Sequence, residues 1–373
     1  MKTFFNDKNT IMNPFFSIII PCCNVGPYVS DCLQSILNQP FQDWECFAVV
    51  ETSQDNTEKI VREFAKKDDR IHFFVGPRSG SASVPRNTGL DHAHGKYVLF
   101  VDGDDYILEN SLGRIAEKIA SHPDADIYPC CLRVHRWDSE QEEIWNDFRA
   151  EDPVEMTGPE TIRLFLHREI PRFMMPICVF RCDFLNQNKL RFVPRMRYED
   201  LEFFPRALYL AKRIVPIHEV HYLYRIRKNS VTTSGSSGLA FIRSESYRQL
   251  NRAHALYNLC VFYMDISKKG NPDSVVSTVW KKWIFHLICT RWFYSWRIRK
   301  IPRKRRLCTL RHVFQTPDVS PFLMENEPFI QKLKVYFMYL SVRHPKYGAL
   351  IADLFFLAYY QLVKVRDAIK KHM

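Results

Sequence analysis

Short apolar runs alternate with segments of helical period over roughly the first third of the chain. Phe16-Ser17-Ile18-Ile19-Ile20 reads as a buried strand that Pro21 stops. Pro27 opens a helix whose apolar positions Val29, Leu33, Ile36 and Leu37 share one face, and Asn38 and Pro40 end it. Cys46–Val50 is a second strand. Asp55 with Glu58 three residues later forms a capping-box pattern before a helix with Ile60, Val61, Phe64 and Ala65 on one side. Ile71–Val75 is a third strand, Pro85–His94 a helix, and Tyr97–Val101 a fourth strand. Apolar strands separated by helices predict an α/β fold with a doubly wound, mostly parallel sheet buried on both faces. Ligands of such sheets bind beyond the carboxyl ends of the strands. That rule singles out Pro21–Gly26, Glu51–Asp55 and Asp102–Asp105.

The pattern changes further on. Residues 151–235 are less regular, and Thr232–Gly238 has linker composition. Residues 240–373 read as helical and aromatic-rich. The expected division is an N-terminal extension over 1–15, a Rossmann-like domain over 16–235 and a helical, basic domain over 240–373. No internal repeat is visible.

With 373 residues, two domains and a sizeable core fit without staples. A 46% hydrophobic and 25% charged composition excludes disorder as the main state. The 11 cysteines are odd in number and include no C-x-x-C pair, which argues against a zinc ribbon and for buried thiols in a reducing, cytoplasmic setting. Residues 1–16 lack the apolar stretch of a signal peptide, and no run of 18 apolar residues predicts a membrane span. The excess of 53 basic over 41 acidic residues, net +12, points to an anionic partner. Much of it comes from residues 274–317, which hold no Asp or Glu but four tryptophans and the run Arg303-Lys304-Arg305-Arg306. That mixture suits an anionic membrane surface, at about 1 kcal/mol per basic group, or a basic face of a packed helical domain. Nucleic acid is the weaker fit, because the upstream site has another use for its charges.

The sharpest chemical feature is Val101-Asp102-Gly103-Asp104-Asp105, directly after an apolar strand. Three carboxylates in four residues repel one another unless water or a cation offsets them, so the segment is a solvated turn or an Mg²⁺ or Mn²⁺ site. Arg86, at a helix start where the macrodipole disfavours a cation, suits a diphosphate or a carboxylate of the acidic turn. Glu199 and Asp200 fit an ordinary helix start or a general base. In Tyr222–Thr232, alternation puts Tyr222, Tyr224 and Ile226 on one strand face, and the cations there fit an exposed edge or a pyrophosphate cover.

From about Phe16 to Ser234 the chain resembles the family-two inverting glycosyltransferases of GT-A fold that build bacterial capsule, exopolysaccharide and O-antigen. Five blocks carry the resemblance, in order: Ser17–Asn24, Leu33–Gln39, Ser53–Thr57, Arg86–Leu90 continuing through Asp105, and Tyr198–Asp200 with Tyr224–Thr232. The resemblance implies a nucleotide site at Pro21, Asn24, Glu51, Ser53 and Gly103, with Glu51 on a uracil. It implies that Asp102 contacts ribose or metal, that Asp104 binds the metal, and that Arg86 lies near the diphosphate. Arg225, Arg227 and Ser230 would cover the pyrophosphate. Asp200 would deprotonate the acceptor hydroxyl, with Glu199 in support. Cys23, Val50, Glu51 and Arg227 depart from the family's usual aromatic, acid, Asp and His at those places.

These implications describe a metal-dependent (Mn²⁺ or Mg²⁺) hexosyl- or N-acetylhexosaminyl-transferase. Its donor would be a UDP-sugar. Its acceptor would be a lipid-linked glycan at the cytoplasmic face of the inner membrane, reached through residues 274–317. A nucleotidyltransferase would need a Gly-rich phosphate loop that Pro21–Gly26 does not supply. A non-catalytic scaffold is disfavoured by the joint presence of Asp102, Asp104, Glu199 and Asp200.

Overall fold

The computed structural model describes residues 13–136, 139–145, 148–167, 175–196 and 198–227. Ser230 and the boundary expected near 235 lie outside them, as do residues 1–12 of the extension expected over 1–15 and the whole of 240–373. The described residues divide into two compact units. One holds the residues up to Arg195 and then Ala207–Arg227, and the other includes Met196–Arg206.

The first unit opens with three parallel strands and two helices: β1 (Phe16–Cys22), α1 (Val29–Leu37), β2 (Trp44–Glu51), α2 (Thr57–Ala65) and β3 (Ile71–Gly76). Then come α3 (Ser83–His92), β4 (Tyr97–Phe100), the two-residue β5 (Tyr106–Ile107), α4 (Ser111–Ser121), β6 (Ile127–Pro129), β7 (Cys131–Arg136) and β8 (Ser139–Trp145). After α5 (Gly158–His167) follow β9 (Cys178–Arg181), α6 (Cys182–Gln187), α7 (Asp200–Leu210), which runs from the second unit into the first, and β10 (Val220–Ile226).

The main sheet has the order β3-β2-β1-β4-β9-β6. β1 to β4 are parallel, and β9 is antiparallel to both β4 and β6. Every residue of β2 and β4 is buried, which is why these strands read as continuous apolar runs rather than as an alternation. α3 packs closely on the sheet at Gly89, where a Cβ would stand 2.4 Å from Ile19 Cγ2. The strand order reverses between β1 and β4, and the loops leaving their carboxyl ends frame the crevice where α/β sheets bind ligands.

Three local expectations need correction. Pro21 does not stop β1, which runs on to Cys22 with Pro21 opposite Val49 of β2. The β4 pairing ends at Ile19, so on that side the missing N–H of Pro21 leaves no ladder bond unmade. Asp55 is not the cap of α2. Asn56 holds that position without a side-chain bond, while Asp55, one residue earlier, accepts the Thr57 N–H and hydroxyl at the helix start with one oxygen and the Gly26 N–H with the other. α3 starts at Ser83, two residues before Pro85, a shift within ordinary boundary scatter.

A second sheet, β5-β10-β7-β8, was not foreseen. β10 is an interior strand of it, between antiparallel β5 and parallel β7, and His221, Tyr222 and Leu223 are all buried. Tyr222, Tyr224 and Ile226 share one face of this continuous strand as expected, but the strand is not an exposed edge and its burial does not alternate. The eight described cysteines are free thiols, five of them buried. No helix among the described residues is long and apolar enough to cross a membrane.

Candidate active site

Two loops at the carboxyl edge of the sheet are strapped to each other. Asn24 takes a positive φ of 52°, a conformation that Asn tolerates better than most residues, and its N–H donates to Ser53 Oγ at 3.0 Å. The Asn24 side-chain oxygen accepts from the Gln54 N–H at 2.7 Å. Val25 N–H donates to Thr57 Oγ1 at 2.9 Å, and Gly26 N–H to Asp55 Oδ2 at 2.8 Å. Burial works against ionisation of Asp55, but its bonds from Thr57 and Gly26 outweigh that and hold the carboxyl below its usual range. A Cβ on Gly26 would meet the side-chain oxygens of Asn56 and Asp55, so a larger residue there requires those side chains to shift.

Glu51, at the end of β2, is 4% exposed. Its Oε1 accepts from the Ser79 N–H at 3.0 Å and from the Ser79 hydroxyl. The acid expected at a nucleobase is therefore anchored from the loop before α3. No pattern in the sequence had pointed to Ser79.

The acidic turn follows β4. Val101 N–H donates to the Ile19 carbonyl, which extends the sheet by one rung, and Asp105 N–H closes the turn on the Asp102 carbonyl at 2.9 Å. Gly103 backs onto β1, where a Cβ would lie 3.2 Å from both Cys22 Sγ and the Pro21 carbonyl. The three carboxylates have different partners. Asp102 Oδ1 accepts from Arg86 Nη2 at 2.7 Å. Arg86 is buried, with its guanidinium 5.6 Å from the Phe192 ring centre and 5.9 Å from that of Phe100. Asp104 Oδ2 accepts from Arg227 Nε at 2.7 Å. Asp105 is wholly buried, with Oδ2 accepting from the Tyr222 hydroxyl at 2.6 Å and Oδ1 from the Arg225 N–H at 2.8 Å.

Burial pushes the carboxyls of Asp104 and Asp105 upward, and the neighbouring acids push the same way. Arg227 opposes this at Asp104, and the bonds from Arg225 and Tyr222 oppose it at Asp105.

Arg225 and Arg227 flank the turn from β10 and the residue after it. The Arg225 guanidinium donates to Asp31 Oδ2 at 2.8 Å and lies 4.8 Å from the Tyr106 ring centre. The Arg227 guanidinium lies 5.2 Å from the ring centre of Tyr28. Pro21, Asn24, Glu51, Ser53, Arg86, Asp102, Gly103, Asp104, Arg225 and Arg227 thus all belong to the carboxyl edge of the first unit and the segment packed on it.

Glu199 and Asp200 belong to the second unit. Tyr198 takes a positive φ of 59°, an uncommon conformation for an aromatic residue, just before α7 begins. Asp200 Oδ1 accepts from the Leu201 N–H at 2.9 Å, and the Glu199 carbonyl accepts from the Phe203 N–H. One turn on, Glu202 is 2% exposed and paired with Arg206 at 2.6 Å.

No cluster of three or more His, Cys, Asp or Glu side chains suited to a metal occurs among the described residues. Asp102 and Asp104 supply two half-buried carboxylates that repel one another. These are hard oxygen donors for Mg²⁺ or Mn²⁺, of the kind that substrate phosphates complete.

Residues 17–187 match the domain described as glycosyl transferase family 2. The chain is similar to that family over this stretch, just under half of its length. It is 31% identical over 224 residues to the uncharacterized glycosyltransferase EpsJ of Bacillus subtilis, a match over 59% of this chain and 64% of EpsJ. The chain therefore spans less than two thirds of that relative. Over 120 residues it is 33% identical to the GalNAc(5)-diNAcBac-PP-undecaprenol beta-1,3-glucosyltransferase of Campylobacter jejuni, covering 32% of this chain and 38% of that enzyme. The crystal structure of Staphylococcus aureus TarS 1-349 in complex with UDP-GlcNAc superposes with a TM-score of 0.60 at 19% identity, over 90% of this chain and 92% of that one. That likeness establishes the GT-A fold for this chain.

Proposed function

We propose that the protein is an inverting glycosyltransferase that moves a hexosyl or N-acetylhexosaminyl group from a UDP-sugar to a hydroxyl of a glycan. The observation that carries the reading is the acidic turn. It holds Asp102 and Asp104 at the carboxyl edge of a parallel sheet, each carboxylate faced by an arginine. Breaking the bond between the anomeric carbon and the diphosphate oxygen leaves negative charge on the departing diphosphate. Arg86, Arg225 and Arg227 are the cations available to receive it. A divalent ion held by Asp104 and Asp102 would neutralise the same charge. Asp200 takes the proton of the acceptor hydroxyl as its oxygen bonds to the anomeric carbon, with Glu199 in support. The anchored Glu51, with Pro21, Asn24, Ser53 and Gly103, forms the nucleoside side of the donor site. The TarS complex with UDP-GlcNAc supports a UDP-sugar as donor.

The acceptor is a lipid-linked saccharide in surface-polysaccharide assembly, a reading supported by the name of the Campylobacter relative. The acid-free, tryptophan-rich stretch over 274–317 supports docking at an anionic membrane surface, although it lies outside the described residues.

The test is nucleotide release from UDP-, GDP- and dTDP-sugars with Mn²⁺, Mg²⁺ or EDTA, using Asp104→Ala as control. Release from one UDP-sugar, abolished by EDTA and by the substitution, supports the reading. If no donor binds with any metal, the catalytic reading gives way to that of a scaffold.

A further inference from the structure

The acidic turn is joined to β10 through one side chain. The Tyr222 hydroxyl accepts the Asp102 N–H at 3.1 Å and donates to Asp105 Oδ2 at 2.6 Å. It thus bridges the first and last aspartates of the turn. Asp105 passes the connection on, because its second oxygen accepts the Arg225 N–H at 2.8 Å. Two residues further along, Arg227 reaches Asp104. The backbone around the bridge is held by pairing of Tyr222 with Ile107 and of Leu223 with Tyr106. Both oxygens of Asp105 are therefore used inside the protein. Of the three acids, only Asp102 and Asp104 keep exposed surface, at 27% and 23% of their side chains.

From this geometry we infer that Tyr222 is a positioning residue of the donor site. Its hydroxyl fixes the spacing between the metal-facing carboxylates of Asp102 and Asp104 and the diphosphate-facing Arg225 of β10 and Arg227 just after it. The inference rests on the donor-site reading above. A buried hydroxyl with one donor and one acceptor role matches this junction, which offers an N–H on one side and a carboxylate on the other. Phenylalanine would fill the same volume and leave both of those groups unpaired. The Asp102 backbone would then lose its tether, and the separation of the two cation-facing carboxylates would no longer be fixed. Asp105 serves the junction from the other side and is not itself a ligand for the diphosphate or its metal.

The test is calorimetric titration of UDP, GDP and dTDP, each with MnCl₂, into the full chain and into Tyr222→Phe, with melting curves as folding control. For the nucleotide that the unsubstituted protein binds, the variant is expected to bind about tenfold more weakly with the same number of sites. An unchanged Kd overturns the inference. So does an unchanged Kd with fewer sites, which is the signature of a purely structural residue. If the unsubstituted protein binds no nucleotide, the donor-site reading fails and takes this inference with it. That failure shows in the parent protein, whereas failure of the inference alone shows only in the variant. A second measurement does not depend on the variant's folding. In the ligand-free parent the Asp102 and Arg225 amides should exchange with deuterium slowly, and rapid exchange at both overturns the junction.

Discussion

Arg227 Nε lies 2.7 Å from Asp104 Oδ2, so a guanidinium stands where a divalent cation would meet that carboxylate. Under the proposed function, cation and arginine would compete for this carboxylate until a diphosphate drew the arginine away. Arg227→Gln should move two quantities in opposite directions. Mn²⁺ alone should bind severalfold more tightly, since a half-exposed ion pair is worth about 1 kcal/mol. Turnover of the sugar nucleotide should fall, because a cation has been removed from the departing diphosphate. Calorimetry with MnCl₂ and a nucleotide-release assay read the two effects. Weaker metal binding in the variant would refute the competition.

Asp200→Asn should reduce transfer by roughly 10²–10⁴, the usual contribution of a general base. The affinity for metal and UDP should be unchanged, because the acceptor's proton plays no part in donor binding. Near-normal turnover would remove Asp200 from that role.

Gly89→Ala should lower the melting temperature without altering donor specificity. The added methyl would sit 2.4 Å from Ile19 Cγ2 in a fully buried contact between α3 and β1. Overpacking of this kind costs about 1–3 kcal/mol. A variant as stable as the parent would mean that α3 can shift away from the sheet at little cost.

His221 is buried, both ring nitrogens lack hydrogen-bond partners among the described residues, and it borders a cavity of about 20 Å³. Burial, with a smaller push from Arg114, lowers its pKa to about 4, while Glu219 pulls the other way. Its folded value lies below the unfolded value of about 6.5, so the unfolded chain binds the proton first. The stability tied to neutral His221 is complete above about pH 6.5 and is lost as the pH falls toward 4. The loss is at most about 1.4 kcal/mol per pH unit. His221→Leu should flatten this part of the curve relative to the parent, as measured by urea melts at pH 7, 6, 5 and 4. Parallel curves would show that His221 takes up its proton in the folded state without penalty.

Strands buried on both faces announce themselves as unbroken apolar runs, so β1, β2, β4 and the sites at their carboxyl ends were readable before any coordinates. The second sheet was not, because β5 has two residues and β10 mixes buried His221 and Tyr222 with Arg225. Its pairing partners also lie far off in sequence. The acidic turn could be found from its spacing, but the different fates of its acids could not. Asp105 resembles Asp104 in sequence, and the long-range contacts with Tyr222 and the Arg225 N–H take it out of the cation-facing pair. Ser79 carries no motif, and its bond to Glu51 depends on how the loop after β3 folds back. Asp55 gave a capping signal displaced by one residue, because its carboxylate serves both the start of α2, through Thr57, and the neighbouring loop, through Gly26.

The four hydrogen bonds between Asn24–Gly26 and Ser53–Thr57 also set a rule for engineering this scaffold. A graft of the first segment alone from a relative would leave Ser53, Asp55 and Thr57 facing a foreign backbone. Chimeras meant to change nucleotide preference should therefore exchange residues 21–27 and 51–57 together, as one cassette.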